Sequence, residues 1–312
     1  MMKKAQTVLG LIDGEEMGVT NYHEHLYVNL PPWAYLVPGW EDHRIDNVEK
    51  NIAELKSFEG SGGNTIVDAT AIDFGHEPNM LLKIAKAVPG VNIIATTGFN
   101  KSAYCDRFVY DWSVEKLVSM VCDHITKGIN DTTVKAGVVK AGTMYMRMNQ
   151  IDEKLLKIAS EAHKRLGVPI STHTEGGTMC MEQIEFFEAE GVDLSKVAIG
   201  HSDRNPDPDL HISMCKKGVY LGYDCPGKIK YGPDSWRIDL IKKVIAAGFG
   251  NRILIGNDLG KVSYLKSYGG GPGLGYLLIR FIPTLRTQGV SEVDLRNILV
   301  NNPRKFFAYL DW

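Results

Sequence analysis

The sequence predicts an α/β fold: a (β/α)8 TIM barrel, a single domain over residues 1–312, with an extra C-terminal helix. Three observations carry this expectation. Eight short apolar, β-branched runs recur along the chain, segments of helical periodicity fill most of the gaps, and each run ends in polar or ionisable residues. Near-continuous apolar strands suit a parallel sheet covered on both faces, and alternating strand and helix reads as βαβ units. The alternative is an open doubly wound sheet. That fold usually shows a Gly-rich phosphate turn after its first strand, and none is present.

In order, the strand runs are MGVTNYHEHL, NTIVDAT, VNIIATTGF, VKAGVVKAGT, VPISTHTE, KVAIGHSD, GVYLGYDC and RILIGNDLG. The segment after the first run puts Val48, Ile52, Leu55 and Phe58 on one helical face and stops at glycines. The next helix carries Pro78 near its first turn, and the third has Ser113 as N-cap. Four more helical segments each run into Gly or Gly-Val-Pro before the next strand. Two helices, around 273–287 and 291–300, follow the eighth strand, and Pro303 pushes Asn302 out of helix.

Composition excludes several classes. The chain is 44% apolar and 23% charged, as in ordinary globular proteins. With 35 basic and 37 acidic residues, nothing favours nucleic acid or an anionic membrane as partner. The five cysteines form no CxxC pair and read as reduced thiols of a cytoplasmic protein. The N-terminal stretch is a poor signal peptide, and no apolar run is long enough to predict a membrane span.

The strand ends are His25, Asp68, Thr97, Lys140, His173, His201, Asp224 and Asp258. Active sites of this fold sit at the carboxyl ends of the strands. On the first strand His23 and His25 point the same way and Glu24 faces out, towards packing or a hydrogen bond outside the barrel. Alone, such a pair reads more readily as two hydrogen-bonded core histidines. Four His, one Lys and one Asp at one level of a barrel instead suit Zn, Mn, Co or Fe. Of the other histidines, His43, His124, His163 and His211 read as surface residues, and His76 as a helix cap or loop residue. An inward lysine at 140 has its pKa lowered by burial. It either reacts with CO₂ to a carbamate able to bridge two cations or pairs unmodified with Asp258.

Together these motifs, from GVTNYHEHL through GVVKAGT, GVPISTHTEGG and VAIGHSDRN to ILIGNDLG, resemble the phosphotriesterase family of the amidohydrolase superfamily. The resemblance implies a hydrolase with a binuclear metal centre, often zinc, and a carboxylated lysine. By position, His23, His25 and Asp258 would hold the buried ion, and His173 and His201 the exposed one. A carboxylated Lys140 and a hydroxide would bridge them. The hydroxide would attack, with Asp258 as the catalytic proton carrier. The family includes lactonases and organophosphate triesterases and is often dimeric.

The substrate is read from the loops after strands seven and eight, where Lys228, Tyr231, Lys261 and Tyr264 are expected to bind it. Lys230, Lys266 and Tyr268 lie there too, and GGGPG opens a helix whose amides could receive an anion. These features favour an anionic or phosphorylated furanose lactone. A carboxylic ester or organophosphate triester, and a binding protein with a vestigial metal site, are the competing readings. Trp33, Tyr35, Leu36 and Trp40 form an apolar segment after strand one: a pocket wall, a core cover or a homodimer interface, the last being favoured.

Overall fold

The structure, a computed structural model, describes residues 3–311. A short antiparallel hairpin, β1 (Lys4–Thr7) and β2 (Gly10–Asp13), comes first. Eight parallel strands follow: β3 (Thr20–Glu24), β4 (Thr65–Asp68), β5 (Asn92–Gly98), β6 (Ala136–Gly142), β7 (Ile170–His173), β8 (Val197–Ile199), β9 (Tyr220–Tyr223) and β10 (Ile253–Ile255). Each pairs with the next in chain order. The helices between and after them are α1 (Val48–Gly60), α2 (Pro78–Ala87), the short α3 (Arg107–Asp111), α4 (Val114–Thr126), α5 (Gln150–Leu166), α6 (Cys180–Ala189), α7 (Pro208–Lys217), α8 (Asp234–Ala246), α9 (Ile282–Thr287), α10 (Glu292–Arg296) and α11 (Asn302–Phe307). The expected (β/α)8 barrel is what the chain forms.

The barrel shuts without a ladder between β3 and β10. Its seam is a short set of specific bonds: the Asp258 N–H donates to the His23 carbonyl (3.0 Å), and the Leu259 N–H to Glu24 Oε2 (2.9 Å). Glu24 also accepts from Asn21 Nδ2 (3.0 Å). Glu24 therefore does not reach outside the barrel. It is fully buried between the first and last strands, and burial pushes its carboxyl up to about 8.

One apolar layer lies between sheet and helices, and a second fills the barrel's lower interior with Ala5, Tyr22, Val67, Ile94, Val138, Leu254, Phe306 and Phe307. The hairpin and α11 cap that end, with Lys4 N–H donating to Leu310 O (2.9 Å) and Val8 N–H to Ile93 O (2.8 Å). Ser113 and Pro78 start α4 and α2 as expected, Ser113 accepting from the Lys116 N–H (3.3 Å). Near the C-terminus the expectation fails. Asn302 stays helical (φ −67°, ψ −50°), because a π-helical stretch at Asn297–Asn301 absorbs the register change before Pro303. The Asn302 amide donates to the Gly250 and Ile253 carbonyls and is fully buried.

Candidate active site

At the carboxyl ends of the strands a cleft of about 110 Å³ gathers His23, His25, Lys140, His173, His201 and Asp258 on its floor. Each arrives by a different local device. His23 lies in β3 and His25 one residue beyond it, its Nδ1 against Thr70 Oγ1 (2.8 Å). Lys140 is inside β6, opposite Gly98, where a Cβ would lie 2.3 Å from the Lys140 carbonyl oxygen. His173 ends β7. His201 and Asp258 follow their strands in left-handed backbone (φ 58° and 50°), a conformation that costs non-glycine residues about 1–3 kcal/mol and clusters at functional sites.

The ring nitrogens converge. Asp258 Oδ1 lies 3.3 Å from His25 Nε2 and 3.6 Å from His23 Nε2. His201 Nε2 faces His173 Nδ1 at 2.9 Å. Burial, helped by the Lys140 charge, holds His23 down to about 4, and burial with Arg204 holds His201 down to about 3. His173 is lowered by the same cause, burial first. These three imidazoles are therefore neutral near pH 7, the state in which imidazole binds metals.

Sequence reasoning counted Asp224 as a strand end and gave it no role. The structure makes it the central brace. Its Oδ1 accepts from His201 Nδ1 (2.6 Å), and its Oδ2 accepts from the Tyr22 hydroxyl (2.6 Å) and the His201 N–H (3.0 Å). His23 Nδ1 lies 3.3 Å from Oδ2. Tyr22 reaches Asp224 only because residue 222 is glycine: a Cβ there would sit 2.0 Å from the hydroxyl. One buried carboxylate thus fixes the proton of His201 on Nδ1 and turns Nε2 inward. Burial would raise the Asp224 carboxyl, but His201 and His23 hold it well below the ordinary range.

A divalent cation fits this donor set. His23, His25 and Asp258 bring three ligand atoms within 4.8 Å of one another, as do His23, His201 and Asp224. His23 Nδ1 and His173 Nε2 are buried with no hydrogen-bond partner, and neutral imidazole with carboxylate oxygen is the usual company of zinc and its neighbours.

Residues 3–307 match the sequence model of the Phosphotriesterase family. The chain belongs to the phosphotriesterase family. It is 34% identical over 328 residues to a phospho-furanose lactonase of Mycoplasmopsis synoviae, covering 98% of this chain and 92% of that one. A crystal structure of a lactonase from Listeria monocytogenes superposes with a TM-score of 0.94 at 33% identity, over 99% of this chain and 100% of that one. The phosphotriesterase homology protein of Escherichia coli, solved with phosphate in its active site, superposes with a TM-score of 0.89 at 34% identity, over 94% and 99%. This phosphotriesterase-family chain is a hydrolase.

The cleft walls correct several expectations. Lys228 lines the cleft, as its loop position predicts, but it is buried, its Nζ donating to Asp258 Oδ2 (2.6 Å) and the Asp258 carbonyl (2.8 Å). Arg204, missed in the sequence although it stands three residues past His201, donates to the same Oδ2 (2.9 Å) and to Cys225 Sγ (3.2 Å). Burial would raise Asp258, yet Lys228 foremost holds it well below the carboxylate range. Lys230, Tyr231, Lys261 and Tyr264 line the cleft, with Lys230 Nζ 4.5 Å from the Tyr231 ring centre and 5.7 Å from that of Tyr264. The GGGPG turn offers no anion site, because Glu54 already occupies its surroundings, accepting from the Ser267 (2.6 Å) and Leu274 (3.1 Å) amides. Tyr268 turns away to Asn51 (2.9 Å).

None of the four histidines read as surface residues is exposed. His43 is half-buried, bonds the Gly260 carbonyl (2.5 Å) and lines the cleft. His124 and His211 are buried facing the sheet, against Thr97 and Tyr223, and His163 is buried against the Val168 carbonyl in the turn between α5 and β7. His76 caps no helix; its ring packs 6.0 Å from that of His124. Trp33 and Trp40 pack on Tyr104 at the rim, and Tyr35, Leu36 and Val37 of the same segment stand exposed.

Proposed function

We propose that this hydrolase opens the ring of a phosphorylated furanose lactone, with two divalent ions, zinc foremost, at the cleft floor. The observation that carries the reading is the continuity of one cleft from the histidine–aspartate floor to a wall of Lys230, Lys261, Tyr231 and Tyr264. A carbonyl over the floor would leave a ring substituent's phosphate facing lysine ammonium groups and tyrosine hydroxyls. The lactonase relatives support the same direction.

In this reading His23, His25 and Asp258 would hold one ion and His173 and His201 the other, and Lys140, once carboxylated, would supply a further carboxylate-like ligand. Burial lowers the Lys140 ammonium to about 8, so a useful fraction is the free amine that CO₂ requires. When bound, the ions supply Lewis acidity and lower the pKa of a coordinated water. The chain's own residues do the rest. Asp224 keeps the Nε2 lone pair of His201 turned inward. Asp258, kept ionised by Lys228 and Arg204, takes up the nucleophile's proton. Its weak basicity makes onward transfer to the leaving alkoxide strongly downhill. Arg204 and Lys228 add fixed positive charge beside the oxyanion that develops in the substrate.

The test is a lactone panel, with and without a terminal phosphate, assayed by proton release on metal-loaded protein. Phosphorylated furanose lactones should give the highest kcat/KM. Equal rates with neutral lactones or with organophosphate triesters would discard this substrate class, and no turnover of any lactone would discard the reaction.

A further inference from the structure

Besides Lys140 on its floor, the cleft contains four cationic side chains, but three of them already have a carboxylate. Arg204 and Lys228 both bond Asp258 Oδ2. Lys261 Nζ donates to Asp42 Oδ2 (3.2 Å). Among the described residues, only Lys230 of the four lacks a carboxylate partner. A doubly charged phosphate monoester meeting this wall therefore competes for Lys261 with a group of the protein itself.

Asp42 does not belong to the loop that carries Lys261. It lies in the 3-10 turn Trp40–His43, part of the aromatic segment after β3. Its Oδ1 accepts from the Ser263 N–H (2.9 Å), and its Oδ2 accepts from the Ser263 hydroxyl (2.8 Å) as well as from Lys261. The neighbouring His43 bonds Gly260. Trp40, in the same turn, packs its ring 5.2 Å from Tyr104 and 6.0 Å from Phe74 at the cleft. The turn is thus hooked to the loop after β10 by His43 and by one carboxylate with three bonds, of which one goes to the cation that a substrate anion would want.

We propose that Asp42 is a positioning residue that acts through Lys261 as a latch: it aims Lys261, offsets its charge, and gives up that one bond when an anionic substituent takes the lysine, loosening the segment 32–43. The proposal rests on the anion-binding reading of the cleft wall. It assigns to one residue outside the reacting centre both the strength of anion binding and its coupling to the aromatic flap.

The experiment titrates metal-loaded protein with glycerol 3-phosphate by calorimetry and follows hydrogen exchange of residues 32–43. Asp42→Asn removes the competing charge and should bind the probe about two- to five-fold tighter, the range of a partly exposed ion pair. A merely structural role would weaken binding instead. Asp42→Glu should restore wild-type affinity. In the wild type the probe should speed exchange in 32–43, and in Asp42→Asn exchange should already be fast and insensitive to it. Unchanged or weaker binding by Asp42→Asn, or a wild-type flap whose exchange stays constant or slows with the probe bound, overturns the latch while leaving the anion pocket standing. Wild-type affinity in Lys261→Met, or no binding to the wild type, removes the anion pocket itself and the latch with it.

Discussion

Replacing Asp224 by Asn is the sharpest probe of the centre, because it removes charge with almost no change of volume. The carboxylate accepts four hydrogen bonds, from His201 Nδ1, the His201 N–H, the Tyr22 hydroxyl and, at 3.6 Å, the Cys225 thiol, and every donor atom faces an acceptor. An amide has one oxygen. Whichever way it turns, its NH₂ meets a donor: either His201 Nδ1–H, or the Tyr22 hydroxyl and the His201 amide. The first arrangement forces the His201 proton onto Nε2 and closes off the lone pair that faces His173. Losing one charge-assisted bond and leaving a donor buried costs about 3–5 kcal/mol. Metal affinity should fall about 10–100-fold, the usual effect of losing the partner that orients a ligand. Metal content after dialysis, the rate of release to a chelator, and the urea midpoint measure these effects. Tyr22→Phe is the control: it deletes one donor to the carboxylate and should cost about 1.5–3 kcal/mol with little loss of metal. Asp224→Asn protein with wild-type metal retention and wild-type stability would refute the brace.

The remaining predictions use other walls of the cleft. Lys228→Met should lower kcat about ten-fold or more with every substrate, since it removes a charge-assisted bond to Asp258 worth about 1.5–3 kcal/mol. Lys230→Ala should instead raise KM about five- to ten-fold for phosphorylated lactones and leave neutral ones unchanged, because one exposed charge–phosphate contact contributes about 1 kcal/mol; steady-state kinetics on matched substrates separates the two. Metal-free protein should lose stability as pH falls from about 6.5 towards 4. Burial holds His211 at about 4 against an ordinary 6.5, so the unfolded chain binds more protons across that window. The stability is complete above 6.5 and drains away as pH drops, by about 2 kcal/mol for this histidine at pH 5. Urea titrations at pH 7 and pH 5 on wild type and His211→Gln check it: a variant with an unchanged pH slope contradicts the assignment.

The barrel was legible because its signals are local. Apolar runs such as NTIVDAT and helical faces such as Leu55 and Phe58 need no distant partner to be recognised. The six floor residues were legible for a related reason: the fold puts every strand end at one rim, so a list of strand ends is a list of neighbours. What stayed hidden is set by tertiary pairing. Lys228 and Lys230 stand two residues apart in one loop, yet one is buried on Asp258 and the other is exposed. No periodicity distinguishes them in an irregular loop. The GGGPG turn has the composition of an anion site, but Glu54, more than 200 positions away, fills it. Asp224 looked like one strand end among eight, because its importance depends on Tyr22 and on the missing side chain at Gly222. The buried histidines of α4, α5 and α7 were misjudged because a polar residue on a helix was assumed to face water, when two had partners on strands and His163 had one in the turn after its own helix.

The seam between the first and last strands has a consequence for the order of assembly. Glu24 meets the Leu259 amide across 235 positions of sequence, and the His23 carbonyl receives Asp258 across the same gap. A nascent chain therefore emerges with its paired histidines long before their aspartate exists. The group of His23, His25 and Asp258 cannot assemble on a ribosome-bound fragment that lacks the eighth unit, so a cation held there would arrive late and report a finished ring. A chain cut short before residue 253 should expose both edges of an open sheet and lack the Asp258 ligand, however complete its first seven units are.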